Sequence, residues 1–229
     1  MRYLNTLWQA FANALDMIES VIKSARGDPD AWESSIRKFE AQDRLKPPPS
    51  GLILFVGSSS FTLWSTMEQD LSPLPVLNRG FGGAKIGDVV HYTDRIVIPY
   101  HPRAIVLFAG TNDITGPNPA TARSVFDGYL SFVKCVQAAL PEVPIYYIAI
   151  TPSPSRWNYW HIVREANHLI SEHTKSDPRL RFIDLTDHLL GSDGKPDRSL
   201  YRFDRLHPNQ KGYAKWIAVI KPRLMADLL

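Results

Sequence analysis

Four short blocks of polar and glycine residues carry the groups in this chain that could do chemistry. They are residues 57–60 (Gly-Ser-Ser-Ser), 78–83 (Asn-Arg-Gly-Phe-Gly-Gly), 110–113 (Gly-Thr-Asn-Asp) and 204–209 (Asp-Arg-Leu-His-Pro-Asn). The first offers serine hydroxyls, the second backbone N–H groups in a glycine turn, and the third an asparagine amide. In the fourth, a carboxylate three residues before an imidazole can accept its Nδ1 proton and leave Nε2 free as a base. Together the blocks could supply a nucleophile, a base, an orienting acid and oxyanion donors.

Each block also has an ordinary structural interpretation. A serine between a strand and a helix is a preferred N-cap. Glycine-rich and Thr-Asn-Asp segments are common turns, and Arg205 could pair with Asp204 and hold it away from His207. The glycine block does not match a dinucleotide-binding fingerprint, because Lys85 occupies the third glycine position, and it does not match a P-loop, because Asp88 stands where lysine is required. The chemical interpretation therefore rests on the set and not on any single block.

Alternating apolar runs and helical patterns indicate which elements must position these blocks. Strands are predicted at residues 52–56, 76–77, 104–108, 145–150 and 180–183, and crossover helices at 123–140 and 160–173. Several of the strands are apolar on both faces, which is typical of a parallel sheet covered by helices on both sides. Since the first three blocks each follow a strand, we expect an α/β fold with a ligand site at the carboxyl edge of the sheet.

Residues 1–46 precede this pattern and predict a helical hairpin. An apolar stripe from Leu4 to Ile22 has helical spacing, and the polar residues within it leave no signal-peptide core. The second helix is predicted to begin with Asp28 as N-cap and Pro29 in its first turn, and the prolines at 47–49 end it. Three roles stay open for the hairpin: packing against the rest of the chain, association with a second subunit, and, least favoured, membrane-surface binding.

The composition excludes several classes of protein. With 229 residues, 44% hydrophobic and 21% charged, the chain can bury one sizeable core and is not disordered. A net charge of +3, with no basic block, argues against a nucleic-acid partner. The single cysteine, Cys135, excludes an internal disulfide and a Cys-rich zinc site, and we expect it to be buried. No metal-ligand spacing and no apolar segment of about 18 residues is present, so we expect no metal, no membrane span and a cytoplasmic protein.

The four blocks, in this order, make residues 52–229 resemble the SGNH hydrolases, also called GDSL esterases and lipases. The resemblance implies a flavodoxin-like three-layer α/β/α sandwich with a five-stranded parallel sheet in the order 2-1-3-4-5. This agrees with the α/β pattern found independently. It also implies two parts, an N-terminal helical extension (1–46) and a catalytic domain (52–229).

The resemblance assigns roles to particular residues. Ser59 matches the nucleophile, and Asp204 and His207 match the other members of a catalytic triad. The oxyanion hole would consist of the N–H groups of Ser59 and Gly83 and the amide of Asn112, with Gly82 as the alternative if the turn is shifted by one residue. Ser58 and Ser60 stand where the family usually has Asp and Leu, which leaves the substrate type open and the catalytic groups intact.

The activity predicted from these residues is hydrolysis of carboxylic esters, with short acyl chains such as acetyl, through an acyl-enzyme and without a cofactor. Acyl transfer, lysophospholipid hydrolysis and thioester hydrolysis would use the same triad, and a non-catalytic carbohydrate-binding module is a further alternative. The expected partner is a small ester, with a homo-oligomer through the N-terminal helices also considered. Trp64, Trp157 and Trp160 are candidates for a substrate pocket, the alternative being that they belong to the core.

Overall fold

The computed structural model describes residues 15, 16, 18–24, 26–116 and 118–229. Residues 15, 16 and 18–24 are helical. Most of the first helix predicted for residues 1–22 lies outside the described residues.

Five parallel strands form the centre of the fold. They are β1 (Ile53–Gly57), β2 (Val76–Gly80), β3 (Ala104–Phe108), β4 (Ile145–Ile148) and β5 (Leu180–Ile183), in the order β2-β1-β3-β4-β5. Every residue of β1, β3 and β4 is buried, as expected for strands covered on both faces. The predicted parallel sheet and its strand order are confirmed.

Helices cover the two faces of the sheet. They are α1 (Glu33–Leu45), α2 (Ser59–Thr62), α3 (Met67–Leu71), α4 (Ile86–His91), α5 (Thr93–Ile96), α6 (Ala122–Ala139), α7 (Trp160–Thr174), α8 (Thr186–Leu189) and α9 (Gln210–Leu228). One apolar core joins the sheet to α1 and α4–α7, and the other joins it to α2, α3, α8 and α9. Alternate residues of β1 enter the two cores, Leu54 the first and Phe55 the second. The predicted three-layer sandwich is therefore confirmed.

Strand β4 ends two residues earlier than the sequence predicts. Ile150 leaves the ladder and pairs with the side chain of Asn167, whose Oδ1 accepts from the Ile150 N–H and whose Nδ2 donates to the Ile150 carbonyl, both at 2.9 Å. Because both backbone groups of Ile150 are satisfied by α7, the chain can leave the sheet here without exposing unpaired polar groups to the core.

Helix α1 is joined to the α/β body by core packing and by ion pairs. Trp32 and Ile36 are fully buried in the first core. The buried guanidinium of Arg79, on β2, bonds to Asp43, and Arg95 donates from Nε to Glu40 Oε1 at 2.7 Å.

The predicted start of this helix, at Asp28 and Pro29, is wrong. Asp28 Oδ1 accepts from the N–H of Asp30 at 2.9 Å, which makes a local turn, and the helix begins only at Glu33.

Cys135 lies on the solvent side of α6 and is exposed. The expectation that it is buried is wrong, because the buried face of this helix runs through Val125, Tyr129, Phe132 and Val136.

Candidate active site

Ser59 is placed by the turn between β1 and α2. Gly57, the last residue of β1, has φ +149°, and a Cβ there would stand 2.0 Å from the carbonyl oxygen of Phe108 on β3. The close approach of the two strands therefore requires glycine. Ser58 is the N-cap and its side chain makes no capping bond, whereas Ser59 is the first helical residue. The hydroxyl of Ser59 lies 2.7 Å from His207 Nε2, so it serves this contact and not a helix cap.

A hydrogen-bonded chain continues from His207 to Asp204. His207 Nδ1 lies 2.6 Å from Asp204 Oδ2. A carboxylate can only accept, so the shared proton belongs to Nδ1 and Nε2 is left to accept from Ser59. Asp204 Oδ1 accepts from the N–H groups of Leu206 and His207 at 2.9 and 3.0 Å. In the described chain Arg205 makes no ion pair with Asp204.

The electrostatics keep Asp204 ionised. Burial opposes the charge, but hydrogen bonds from the His207 ring and from the N–H groups of His207 and Leu206 outweigh burial and hold the pKa of Asp204 below its ordinary value. The carboxylate is thus available to orient the imidazole and to balance its charge when it is protonated.

The segment that carries His207 is fastened on both sides. The N–H of Arg202 donates to the His207 carbonyl at 2.8 Å, and Tyr201 OH donates to the carbonyl of Pro152. Asn209 caps α9 through bonds from the N–H groups of Lys211 and Gly212 at 2.9 and 3.2 Å. The position of the imidazole is therefore set before any ligand binds.

The glycine block and the asparagine block meet beside Ser59. Asn112 Nδ2 donates to the carbonyl of Ala84 at 2.9 Å, which orients the amide and leaves its second N–H for another acceptor. Gly83 has φ +85°, and a Cβ there would stand 2.6 Å from Val21 Cγ2. In the described part of the chain, neither the Ser59 N–H nor the Gly83 N–H donates to a protein group.

Asp113, in the asparagine block, forms a hydrogen bond to the residues that follow the glycine block. Its carboxylate accepts from the N–H of Ile86 at 3.1 and 3.2 Å. Burial raises the pKa of Asp113 to about 6, and the nearby Asp88 carboxylate adds to the effect. The loop carrying Asn112 is thereby bonded to the start of α4, directly after the glycine turn.

Ser59, Gly83, Asn112 and His207 line one cavity of about 440 Å³. The sequence predicted these four. It did not predict the other described residues of the wall, which are Val21, Ser24, Lys85, Thr115, Gly116, Asn118, Arg156 and Leu206. Arg156 and Lys85 follow strand ends closely enough to have been suspected from the fold. No sequence signal places Val21 and Ser24, since their position depends on how the N-terminal helix packs.

The model of the GDSL-like Lipase/Acylhydrolase family matches residues 55–215. The chain belongs to this family. All four blocks lie within the matched region, and the resemblance noted from the sequence is confirmed. No curated protein sequence matches the chain.

Solved structures share the GDSL-like fold at low sequence identity. A Bacteroides fragilis protein described as an acylhydrolase has a TM-score of 0.74 and 20% identity, over 84% of this chain and 97% of its own. A GDSL-like lipase from Bacteroides thetaiotaomicron has a TM-score of 0.68 and 18% identity, over 84% and 98%. An acetyl esterase solved with an acetate ion has a TM-score of 0.58 and 17% identity, over 76% and 97%.

The structure of this GDSL-like protein does not bring the three tryptophans to Ser59. Trp64 is 1% exposed, packs in the second core and donates from Nε1 to Asp70 at 2.7 Å, so the expectation that it lines the site is wrong. Trp157 and Trp160 stack at 5.5 Å between ring centroids. Trp157 lines a neighbouring cavity of about 740 Å³ together with Arg205, and Trp160 packs partly on the first core.

The described residues contain no group of three or more His, Cys, Asp or Glu side chains placed to hold a metal ion. Among these same residues, no helix has the length and apolar character needed to cross a membrane.

Proposed function

We propose that this GDSL-like protein is a serine hydrolase of carboxylic esters in which Ser59, His207 and Asp204 form the catalytic triad. The observation that carries the proposal is the continuous chain from Ser59 Oγ to His207 Nε2 at 2.7 Å and from His207 Nδ1 to Asp204 Oδ2 at 2.6 Å. A hydroxyl bonded to a base, with the base oriented by an acid, is the arrangement that activates a serine.

In the first half of the reaction, His207 Nε2 takes the hydroxyl proton as Ser59 Oγ attacks the acyl carbonyl. The carbonyl oxygen becomes an oxyanion, which accepts from the N–H groups of Ser59 and Gly83 and from the amide of Asn112. His207 then gives its proton to the leaving alcohol as the C–O bond breaks, and an acyl-enzyme forms.

In the second half, water gives a proton to His207 and attacks the acyl-enzyme. The same three donors hold the second oxyanion, and Ser59 regains its proton from His207 when the carboxylic acid leaves. The reaction consumes one ester and one water, and yields one acid and one alcohol.

The character of the cavity favours short acyl groups. Its volume of about 440 Å³ has to hold the acyl and the alcohol part together, and in the described wall only Val21 and Leu206 have aliphatic side chains. The acetyl esterase among the structures of the same fold supports an acetyl ester as the first substrate to try.

The experiment compares Ser59→Ala with Ser58→Ala. The two serines are adjacent and both buried, but only the hydroxyl of Ser59 contacts His207. A fluorophosphonate probe should label the unmodified protein and Ser58→Ala, and both should hydrolyse p-nitrophenyl acetate. Ser59→Ala should do neither while keeping its circular dichroism spectrum. Full activity in Ser59→Ala would contradict the mechanism.

Product analysis separates hydrolysis from acyl transfer. With glycerol added as a competing acceptor, a hydrolase should release mainly acetate. Acetylglycerol as the main product would assign the same triad to an acyltransferase.

A further inference from the structure

A positive side chain with an unsatisfied donor lies in the wall of the Ser59 cavity. Arg156 lines the cavity, and its Nε is buried without a hydrogen-bond partner. In the described chain no carboxylate lies within ion-pair distance of its guanidinium. The buried Nε is out of reach of a ligand, but Nη1 and Nη2 are not buried and make no hydrogen bond to a described protein group, so they can donate to an anion in the cavity.

The backbone around Arg156 is fixed before a ligand binds. Its own N–H donates to the carbonyl of Ser153 at 3.1 Å, and the N–H of Ser155 donates to the carbonyl of Arg205 at 3.0 Å. The segment with Arg156 is therefore bonded to the segment that carries His207.

Lys85 supplies a second positive charge in the same wall. Its backbone N–H donates to Asp88 Oδ2 at 2.8 Å, but in the described chain its ammonium makes no ion pair. The two nearby carboxylates are engaged with other donors, Asp88 with the hydroxyl of Ser24 at 3.3 Å and Asp113 with the N–H of Ile86.

The described wall holds two cations and no Asp or Glu side chain. The cavity volume of about 440 Å³ is several times that of an acetyl group, so the alcohol part of a short-chain ester must occupy most of it. That alcohol part would meet Arg156 and Lys85.

We propose that the physiological ester carries an anionic group, a phosphate or a carboxylate, on its alcohol part, and that Arg156 and Lys85 bind this group while Ser59 attacks the acyl carbonyl. The planar guanidinium can donate two parallel hydrogen bonds to either oxyanion, and the ammonium adds a point charge. The inference rests on the proposed ester hydrolysis and names the substrate class for it.

The first experiment measures kcat/KM for four acetyl esters that differ in charge. They are monoacetin (neutral), 1-acetylglycerol 3-phosphate, 3-acetoxypropanoate (carboxylate) and acetylcholine (cationic). At least one anionic ester should exceed monoacetin by about 10- to 100-fold, the range expected for hydrogen bonds to charged groups, and acetylcholine should be the poorest. The better of the two anionic esters identifies the group. Equal values for the neutral and anionic esters would overturn the inference.

The second experiment tests whether these two side chains cause the preference. Arg156→Gln and Lys85→Gln should each lower the ratio of kcat/KM for the anionic ester to that for monoacetin by about 10-fold or more. Lys134→Gln removes the same charge from an exposed position on α6 and should leave the ratio unchanged. Glycerol 3-phosphate should inhibit monoacetin hydrolysis competitively, and more weakly in Arg156→Gln.

The outcomes separate the two proposals. If Ser59 is labelled and all four esters are hydrolysed at similar rates, the esterase stands and the anionic substrate does not. A preference that survives both Gln variants also overturns the inference, since the anion is then bound elsewhere. If no ester is cleaved and Ser59 is not labelled, the proposed hydrolysis itself has failed.

Discussion

The cavity around Ser59 has two walls of different origin. The loops at the edge of the sheet supply Ser59, Asn112 and His207, which lie within the region matched by the family model. The N-terminal helical segment supplies Val21 and Ser24, which precede that region. In the first wall, the side chains of Ser59, Asn112 and His207 each have a defined hydrogen-bond partner. The second touches the site through the methyl groups of Val21 against Gly83 and through one long hydrogen bond from Ser24.

The contrast suggests that chemistry and cavity shape are encoded in separate parts of the chain. The family region holds every group that would bond to the reacting atoms. The N-terminal segment limits the space beside those groups, and it is bonded to α1 through the ion pair of Asp16 with Lys38 at 2.6 Å. Changes in the first wall should therefore lower kcat, and changes in the second should alter which esters fit.

The largest effect is expected at His207. His207→Ala removes the base, and kcat for acetyl esters should fall on the order of 10⁴- to 10⁶-fold, as in other serine triads. His161→Ala, on the exposed face of α7, is the control and should have no effect. Steady-state kinetics with acetyl esters would check this, and full activity in His207→Ala would contradict the assignment.

The next largest effect is expected at Asn112. Asn112→Ala removes a side-chain oxyanion donor and should lower kcat about 10²- to 10³-fold with little change in KM. Asn158→Ala, at an exposed asparagine of the segment after β4, should be neutral. A loss confined to KM would mean that Asn112 binds the ground state and not the oxyanion.

Gly83→Ala tests the contact between the two walls. The added Cβ would meet Val21 Cγ2 at 2.6 Å, in a backbone conformation that side chains rarely adopt. The free energy of unfolding should fall by about 1–3 kcal/mol, and activity should fall with it. Adding Val21→Ala should restore part of the stability, because it removes the contact with Val21, whereas the contact with Trp32 Cη2 at 3.0 Å and the backbone strain remain. Urea denaturation of the single and double variants measures the recovery, and no recovery would show that Val21 does not limit the space at Gly83.

Asp113 gives a pH-dependent test of the loop that carries Asn112. Its pKa in the folded protein, about 6, lies above the ordinary value of 3.8, so the native state binds this proton more tightly than the unfolded chain. The stability that this carboxyl contributes is present below pH 3.8 and is lost as the pH rises to about 6.

Asp113→Asn cannot ionise but can still accept from the Ile86 N–H. The difference in free energy of unfolding between Asp113→Asn and the unmodified protein should therefore shift in favour of the variant between pH 4 and 7, by at most about 3 kcal/mol. Urea unfolding at several pH values checks this, with Asp94→Asn at an exposed position as control. A difference that does not change with pH would refute the shifted titration.

The smallest effect is expected at Val21. Val21→Ala removes two methyl groups from the N-terminal wall, and kcat/KM for butanoyl esters should rise a few-fold relative to acetyl esters, as expected for room worth about one or two methylenes. Ile22→Ala is the control and should leave this ratio unchanged. Ile22 is the next residue of the same helix, but it is 46% exposed and does not line the cavity. A large fall in kcat for acetyl esters in Val21→Ala would show that the N-terminal wall contributes to catalysis and does not only limit which esters fit.

Much of the fold could be predicted from the sequence because its signals are local. Apolar runs such as 104–108 coincide with strands, and the strand-to-turn junctions identified Ser59 and Asn112. The sequence favoured Gly83 and left Gly82 as the alternative, and the structure places Gly83 at the cavity.

The failures arose where long-range packing overrides local pattern. Trp64 follows a catalytic block closely, yet it stacks on Tyr213 of α9 at 5.0 Å, a contact that no spacing reveals. The sequence pattern does not single out Arg156, because several aromatic residues surround it. Its position at the cavity depends on a hydrogen bond between its segment and a segment more than 45 positions further along the chain. Val21 and Ser24 meet the site only through the packing of the N-terminal segment.

The pairing of Ile150 with Asn167 has a consequence for how selectivity could change. The side-chain amide occupies the place of a neighbouring strand, so the chain after β4 takes its direction from α7 and not from the sheet. The segment with Arg156 lies between these two anchors. A substitution that shifts α7 would pull on this segment, which the Ser155 N–H also bonds to the Arg205 carbonyl, while the sheet and the serine at its edge stayed in place. If Arg156 binds the substrate as proposed, substitutions in α7 that never touch the substrate would alter substrate preference.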